Sequence, residues 1–426
     1  MFRPVYQMRP DAVPDEVRTH FGRVGASDDP QDLASRAFTL LQETLRTGDR
    51  ADLDAAITAG RQAVAASPAD HPDRAAMLTN LGIALGTRFE RAGDLADLDT
   101  AIDLFQQAVA VKVASPRIRA RAARGWGRAA ADGRRWQEAV AGFAAAAGLL
   151  EVVAPRSLTR GDQEHLLEEL GGLGSDAAAC CVHAGLTDRA AELFEQGRGV
   201  LLGQALDTRT DLTALTEQHP DLAARFTVLR DDLDRAGDPA RPPTALPAGT
   251  DGAAADARAE AARRDMDRRR AVAAAFDQVI AEIRRLPDFR AFLRPPPVTE
   301  LLAAAVQGPV VVVTVSQFGS YALALTSGGV LDPVPLPGLT PQTVYARVMG
   351  FLGALEDAGS LVTGAGGRTA AEQRLGDTLG WLWDVLAGPV LDRLGITSPP
   401  RDGQPWPRLW WCVSGDYCER RHFRCD

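Results

Sequence analysis

Cys412, Cys418, His422 and Cys425 fall within LWWCVSGDYCERRHFRCD, the last eighteen residues, which hold three of the five cysteines and one of the six histidines. Thiolates and an imidazole can ligate zinc or pair as nucleophile and base. The spacings of six, four and three residues do not form the paired C-x2-C knuckles of a strong zinc signature. Cys412 also stands in an apolar run that reads as a strand. No metal, cofactor or catalytic residue is therefore assigned, and 416–426 reads as a short disordered tail, the out-of-frame translation of a longer gene. Cys180 and Cys181, adjacent in DAAACCVHAGL, suit helix packing and read as a buried reduced pair. The piece TGAGGRTAAEQ at 363–373 lacks the lysine and the preceding strand of a phosphate loop and reads as a surface connection.

The elements that position these residues follow from composition and pattern. The chain has 426 residues, 46% hydrophobic and 24% charged, enough for two or three globular domains. Its 47 basic and 56 acidic residues give a net charge of −9, which argues against non-specific nucleic-acid binding. Lys112 is the one lysine, so a Walker A lysine is absent and Schiff-base chemistry has little scope. MFRPVYQMRPDAVPDE has no apolar run fit for a signal peptide, and no later stretch approaches a membrane span. The expected location is cytoplasmic.

A repeat organises the first half. GDRADLDAAITAGRQAVA at 48–65 returns as GDLADLDTAIDLFQQAVA at 93–110, a period of 45 residues. Leu53, Ile57 and Val64 map onto Leu98, Ile102 and Val109, one stripe down a helix. Leu78, Leu81, Leu85 and Phe89 between the copies draw a second stripe, so the unit is a pair of helices and the repeats stack as hairpins. Each second helix carries a small, bulky, small pattern: Ala101, Phe105, Ala108; Ala139, Phe143, Ala146; Ala190, Phe194, Gly197; with Gly60 in the bulky slot of the first copy. The first helices carry Leu81-Gly82 and, at the matching place, Trp126-Gly127. Arg117, Arg121, Arg124 and Arg128 recur at steps of four, three and four on the face opposite Trp126, either a solvated face or a peptide groove suited to carboxylates.

Beyond the repeats, 236–256 is a Pro, Gly and Ala stretch that reads as a flexible loop at the tip of a helical hairpin. GPVVVVTVSQFGSYALALTSGGVLDPVPL supplies a strand buried on both faces and an edge hairpin. Two helical segments follow, and RLWWCVSG reads as another buried strand, giving an α/β sandwich. The expected domains are an N-terminal extension and helical cap at 1–47, helical repeats at 48–230, a linker at 231–260, a connecting helix at 261–290, an incomplete α/β domain at 291–415 and the tail at 416–426.

The repeats resemble the tetratricopeptide (TPR) family, with a longer unit than the usual one and RAGDLADL making the longer turn. LFEQGRGVLLGQALDTRTDL, GPVVVVTVSQFGSYALALT and LGWLWDVLAGPVLDRLG with WPRLWWC together resemble TPR-linked CHAT proteins, whose C-terminal domain is related to caspases and separase. The resemblance implies a TPR-like α-helical solenoid followed by a partial α/β caspase-like domain, whose chemistry elsewhere in the family is a Cys-His dyad. That dyad lies downstream of the Trp-Trp-Cys strand, so neither Cys412 nor His422 is carried over to it, and the chain alone is expected to be inactive. The implied role is a protein-binding adaptor with a protein or peptide partner on its repeats. The alternative is a regulated cysteine peptidase whose catalytic half is lost to a frameshift or supplied by another polypeptide.

Overall fold

The computed structural model describes residues 29–153, 170–205, 211–236, 297–359, 365–400 and 406–413, together with 264, 267, 268, 271, 272, 274–290 and 292. Cys418, His422, Cys425, most of the N-terminal extension and residues 237–256 of the expected loop lie outside these.

The Gly-Asp pairs that open each copy of the repeat are helix junctions. Helix α1 (Pro30–Thr47) ends at Gly48, with φ of 79°, and α2 (Arg50–Ala66) begins under Asp49, whose side chain accepts from Ala51 N at 2.7 Å. One period later α3 (Arg74–Ala92) ends at Gly93, with φ of 72°, and Asp94 caps α4 (Leu95–Ala110) through Ala96 N at 2.9 Å. Glycine enters the left-handed region without a Cβ clash, and the carboxylate satisfies an orphan N–H of the next helix. Ser115 caps α5 (Pro116–Asp132).

Successive helices of this series pack on one another, and α1 on α3 and α3 on α5 also touch, as in stacked hairpins. The core is the predicted stripe: Leu53, Ile57, Leu78, Leu85, Leu98, Ile102 and Phe105 are buried. An Arg88 fork on α3 ties three helices together. Its Nε and Nη2 donate to Asp97 of α4, each at 2.6 Å, and its Nη1 to Asp54 of α2 at 3.3 Å. The Asp97 bonds, opposed by desolvation, hold this guanidinium above its ordinary pKa.

The chain divides into two compact units, Met1–Gly133 with Asp221–Glu282, and Arg134–Pro220 with Ile283–Asp426. In the first, α1 to α5 are joined by a hairpin of α10 (Pro220–Ala236) and a helical run over 274–283. Phe226 stacks on Phe276 at 5.3 Å, and Arg225 pairs with Glu282 at 2.9 Å. Lys112 reaches Asp277 at 3.2 Å.

In the second unit, helices α6 (Trp136–Ala147), α7 (Leu173–His183), α8 (Thr187–Ala205), α9 (Asp211–Gln218) and α11 (Val298–Ala303) accompany a mixed sheet. Its strands are β1 (Val310–Thr314), β2 (Tyr321–Thr326), β3 (Gly329–Val330), β4 (Val334–Pro335) and β5 (Trp410–Val413), in the order β3-β2-β1-β5, with β4 also on β2. β1 and β2 are antiparallel with Val312 opposite Leu323, and β1 and β5 are parallel with Val312 opposite Cys412. Val311, Val313, Ala322 and Ala324 face a core completed by Leu336, Leu339 and Val390, with side chains from α12 (Pro341–Gly359) and α14 (Gly388–Arg393). Val312 and Leu323 on the other side are buried too, while α7 packs against β1 and α11 against β2. A helical region followed by an α/β region is thus the observed order.

Two expectations are corrected. β5 forms where the apolar run predicted it, but Trp410, Trp411 and Val413 are exposed, because the strand ends the sheet with β1 as its one described neighbour. The glycine-rich piece is not a connection throughout: α13 (Ala365–Leu382) already begins at Ala365, since glycines cost least in a first turn, where the N–H groups lack intrahelical partners anyway.

Candidate functional site

Two arrangements gather side chains able to bind or hold. The first is the arginine row of α5. Arg121 and Arg128 are exposed, whereas Arg117 and Arg124 are half-buried and engaged within the protein. The opposite side of the helix explains why Arg121 and Arg128 stay at the surface. Arg119 there is buried and donates from Nε to Val109 O at 3.0 Å, and Trp126 is half-buried with a buried indole N–H. Burial lowers the Arg119 pKa, with the Asp277 charge partly opposing it. Sequence reasoning missed Arg119 because it treated the outward row alone; its step of two from Arg117 placed it on the inner face.

The predicted packing residues distribute as follows. Leu78, Leu81, Gly82, Leu85, Ala101, Phe105 and Ala108 are buried in the first unit, as is Gly127. The Phe105 ring sits against both Gly82 and Gly125, where an added Cβ would stand 3.0 and 2.6 Å from it. Gly125, which the pattern did not single out, thus makes room for this ring together with Gly82. In the second unit Ala139, Phe143, Ala146, Ala190 and Phe194 are buried. Gly197 lets α8 meet α7 backbone to backbone: a Cβ there would lie 2.5 Å from Gly174 Cα.

The second arrangement joins α6 and α7 to the turn between β1 and β2, and no periodic pattern in the sequence signals it. Ser316 Oγ donates to Asp176 Oδ1 at 2.6 Å and accepts from Phe318 N at 3.1 Å, and both polar side chains are buried. His183 Nε2 donates to Phe318 O at 2.8 Å, which fixes the proton on that nitrogen because a carbonyl can only accept. Tyr321 Oη lies 3.3 Å from the same nitrogen, and Trp136 stacks on the imidazole at 4.1 Å between centroids. Phe143, read from the repeat as a filler between helices, also meets Phe318 at 6.3 Å.

This cluster holds elements in place and has no nucleophile–base geometry. Ser316 bonds directly to a carboxylate and His183 to a carbonyl, so the imidazole does not stand between hydroxyl and acid as a relay would require. Burial pushes the nearby Cys181 thiol up to about 12, away from thiolate character, and also raises Tyr321. Cys180 and Cys181 are buried thiols. Among the described residues no group of three or more His, Cys, Asp or Glu side chains could hold a metal ion, and no helix is long and apolar enough to cross a membrane. The sequence matches no family model and no curated protein.

Proposed function

We propose that the chain is a cytoplasmic protein-interaction adaptor, with TPR-type repeats that receive an acidic protein segment and a CHAT-type caspase-like domain. The observation that carries this reading is the pairing of stacked first helices, α1 on α3 and α3 on α5, with the exposed Arg121 and Arg128 two turns apart on the last of them. Guanidinium forks at that spacing suit successive carboxylates on an extended or helical ligand. The test is fluorescence anisotropy with a labelled Glu-rich peptide ending in a free carboxylate, against the wild-type protein and the Arg121→Glu/Arg128→Glu variant. Binding that weakens at least tenfold in the variant and falls with salt supports the reading. Equal binding by both proteins returns the row to a solvated face.

A second reading, a cysteine peptidase whose catalytic half is carried by another polypeptide, is favoured by β5 having a neighbour on one side alone among the described residues. It requires a His-bearing and a Cys-bearing strand elsewhere. Translating the DNA beyond the Asp426 codon in all frames checks it: such strands support the peptidase, and their absence there leaves the adaptor.

A further inference from the structure

Among the described residues β5 has a neighbour on one side alone. In a parallel ladder the N–H and C=O of one residue point the same way, and successive residues alternate. Trp410 N donates to Pro309 O at 2.9 Å, so Trp410 and Cys412 turn their backbone groups towards β1. Trp411 and Val413 therefore turn theirs outward. Natural edges are blunted by lysine, proline, bulges or charge. The four residues of β5, Trp-Trp-Cys-Val, contain none of these, and Trp410, Trp411 and Val413 are 49%, 42% and 61% exposed.

We infer that β5 pairs antiparallel with β5 of a second copy of this chain, across a two-fold axis at Cys412. Two-fold symmetry sets the register. Trp411 stands opposite Val413 of the second copy as a hydrogen-bonded pair exchanging both N–H···O bonds. Cys412 faces its own counterpart in the non-hydrogen-bonded position, where Cα atoms approach to about 4.5 Å. The two outward-turned residues satisfy each other, which is why a second copy fits better than an unrelated strand. Their side chains also match, since an aromatic residue opposite a β-branched one is a favoured cross-strand pair.

Trp411 and Val413 share the side of the sheet that carries Val311 and Val313, the side covered by α12. On that helix Tyr345, Met349, Leu352 and Leu355 form an exposed apolar stripe. At about 250 Å² for a whole tryptophan, the exposed parts of Trp410 and Trp411 come to roughly 230 Å², under a third of the ~800 Å² each partner gives to a standard interface. The strand alone therefore makes a weak dimer, held chiefly by its backbone pairing. This inference is independent of the arginine row.

The test is sedimentation velocity of the full chain over a concentration series through the micromolar range. A reversible monomer–dimer equilibrium is expected, weakened at least tenfold by Val413→Lys at a position that is 61% exposed. In a second experiment Cys418→Ser/Cys425→Ser protein is oxidised with copper(II) phenanthroline, in which two Cys412 thiols lose two protons and give two electrons to copper. A disulfide-linked dimer should form, and should disappear with Val413→Lys. A monomer at every concentration, a dimer untouched by Val413→Lys, or a dimer that does not cross-link through Cys412 would each overturn the inference.

Discussion

Burial, more than any neighbouring charge, sets the behaviour of Cys181: desolvation raises its thiol from 9.0 to about 12, against the pull of Arg189. The folded chain thus prefers the neutral thiol. Its contribution to stability is complete below pH 9 and is lost as pH rises from there through about 12, because the unfolded chain ionises first. Tyr321 shifts in the same direction. On account of Cys181, urea unfolding of the wild type should lose stability by about 1.4 kcal/mol per pH unit above pH 9. Cys181→Ala should show a shallower slope between pH 9 and 11, and equal slopes would refute the assignment. The adjacent cysteines were legible in the sequence as packing residues, since they sit among alanines in a helical pattern. Asp176, Ser316 and His183 were not, because a hydrogen bond spanning 140 residues leaves no local period.

Between elements, close approach depends on single missing methyl groups. Phe105 is 3% exposed and cannot swing aside, so Gly125→Ala should cost about 1–3 kcal/mol through overpacking. Adding Phe105→Leu should return part of that loss, whereas strictly additive effects would mean that the two residues are uncoupled. The stripe of period 3.6 made these helices readable, but not which glycine meets which ring, since that depends on the crossing of two helices. β5 teaches the same lesson. An apolar run reads as a buried strand, yet burial requires a neighbour on each side, and WWCV has a described partner on one side alone.

At the scale of the molecule, the helices expected as one series are shared between the two compact units, with α1 to α5 in the first and α6 to α9 beside the sheet in the second. Each unit has its own polar tie. Arg88→Met strands the buried Asp97 carboxylate and should cost about 1.5–3 kcal/mol. Ser316→Ala leaves Asp176 without one bond and should cost about 1–3 kcal/mol. Hydrogen exchange should place the loosened amides of the first variant within 30–132 and those of the second around 173–183 and 310–326. Loss spread evenly through the chain would contradict separate ties. The sequence alone determined the helices, their Gly-Asp junctions, the apolar stripes and the strands of the sheet, because propensity, caps and periodicity act over a few residues. The tertiary structure alone decided that Arg119 is inside and β5 outside, and that the β1–β2 turn is held by α7, because burial and long-range hydrogen bonds depend on what the rest of the chain brings alongside.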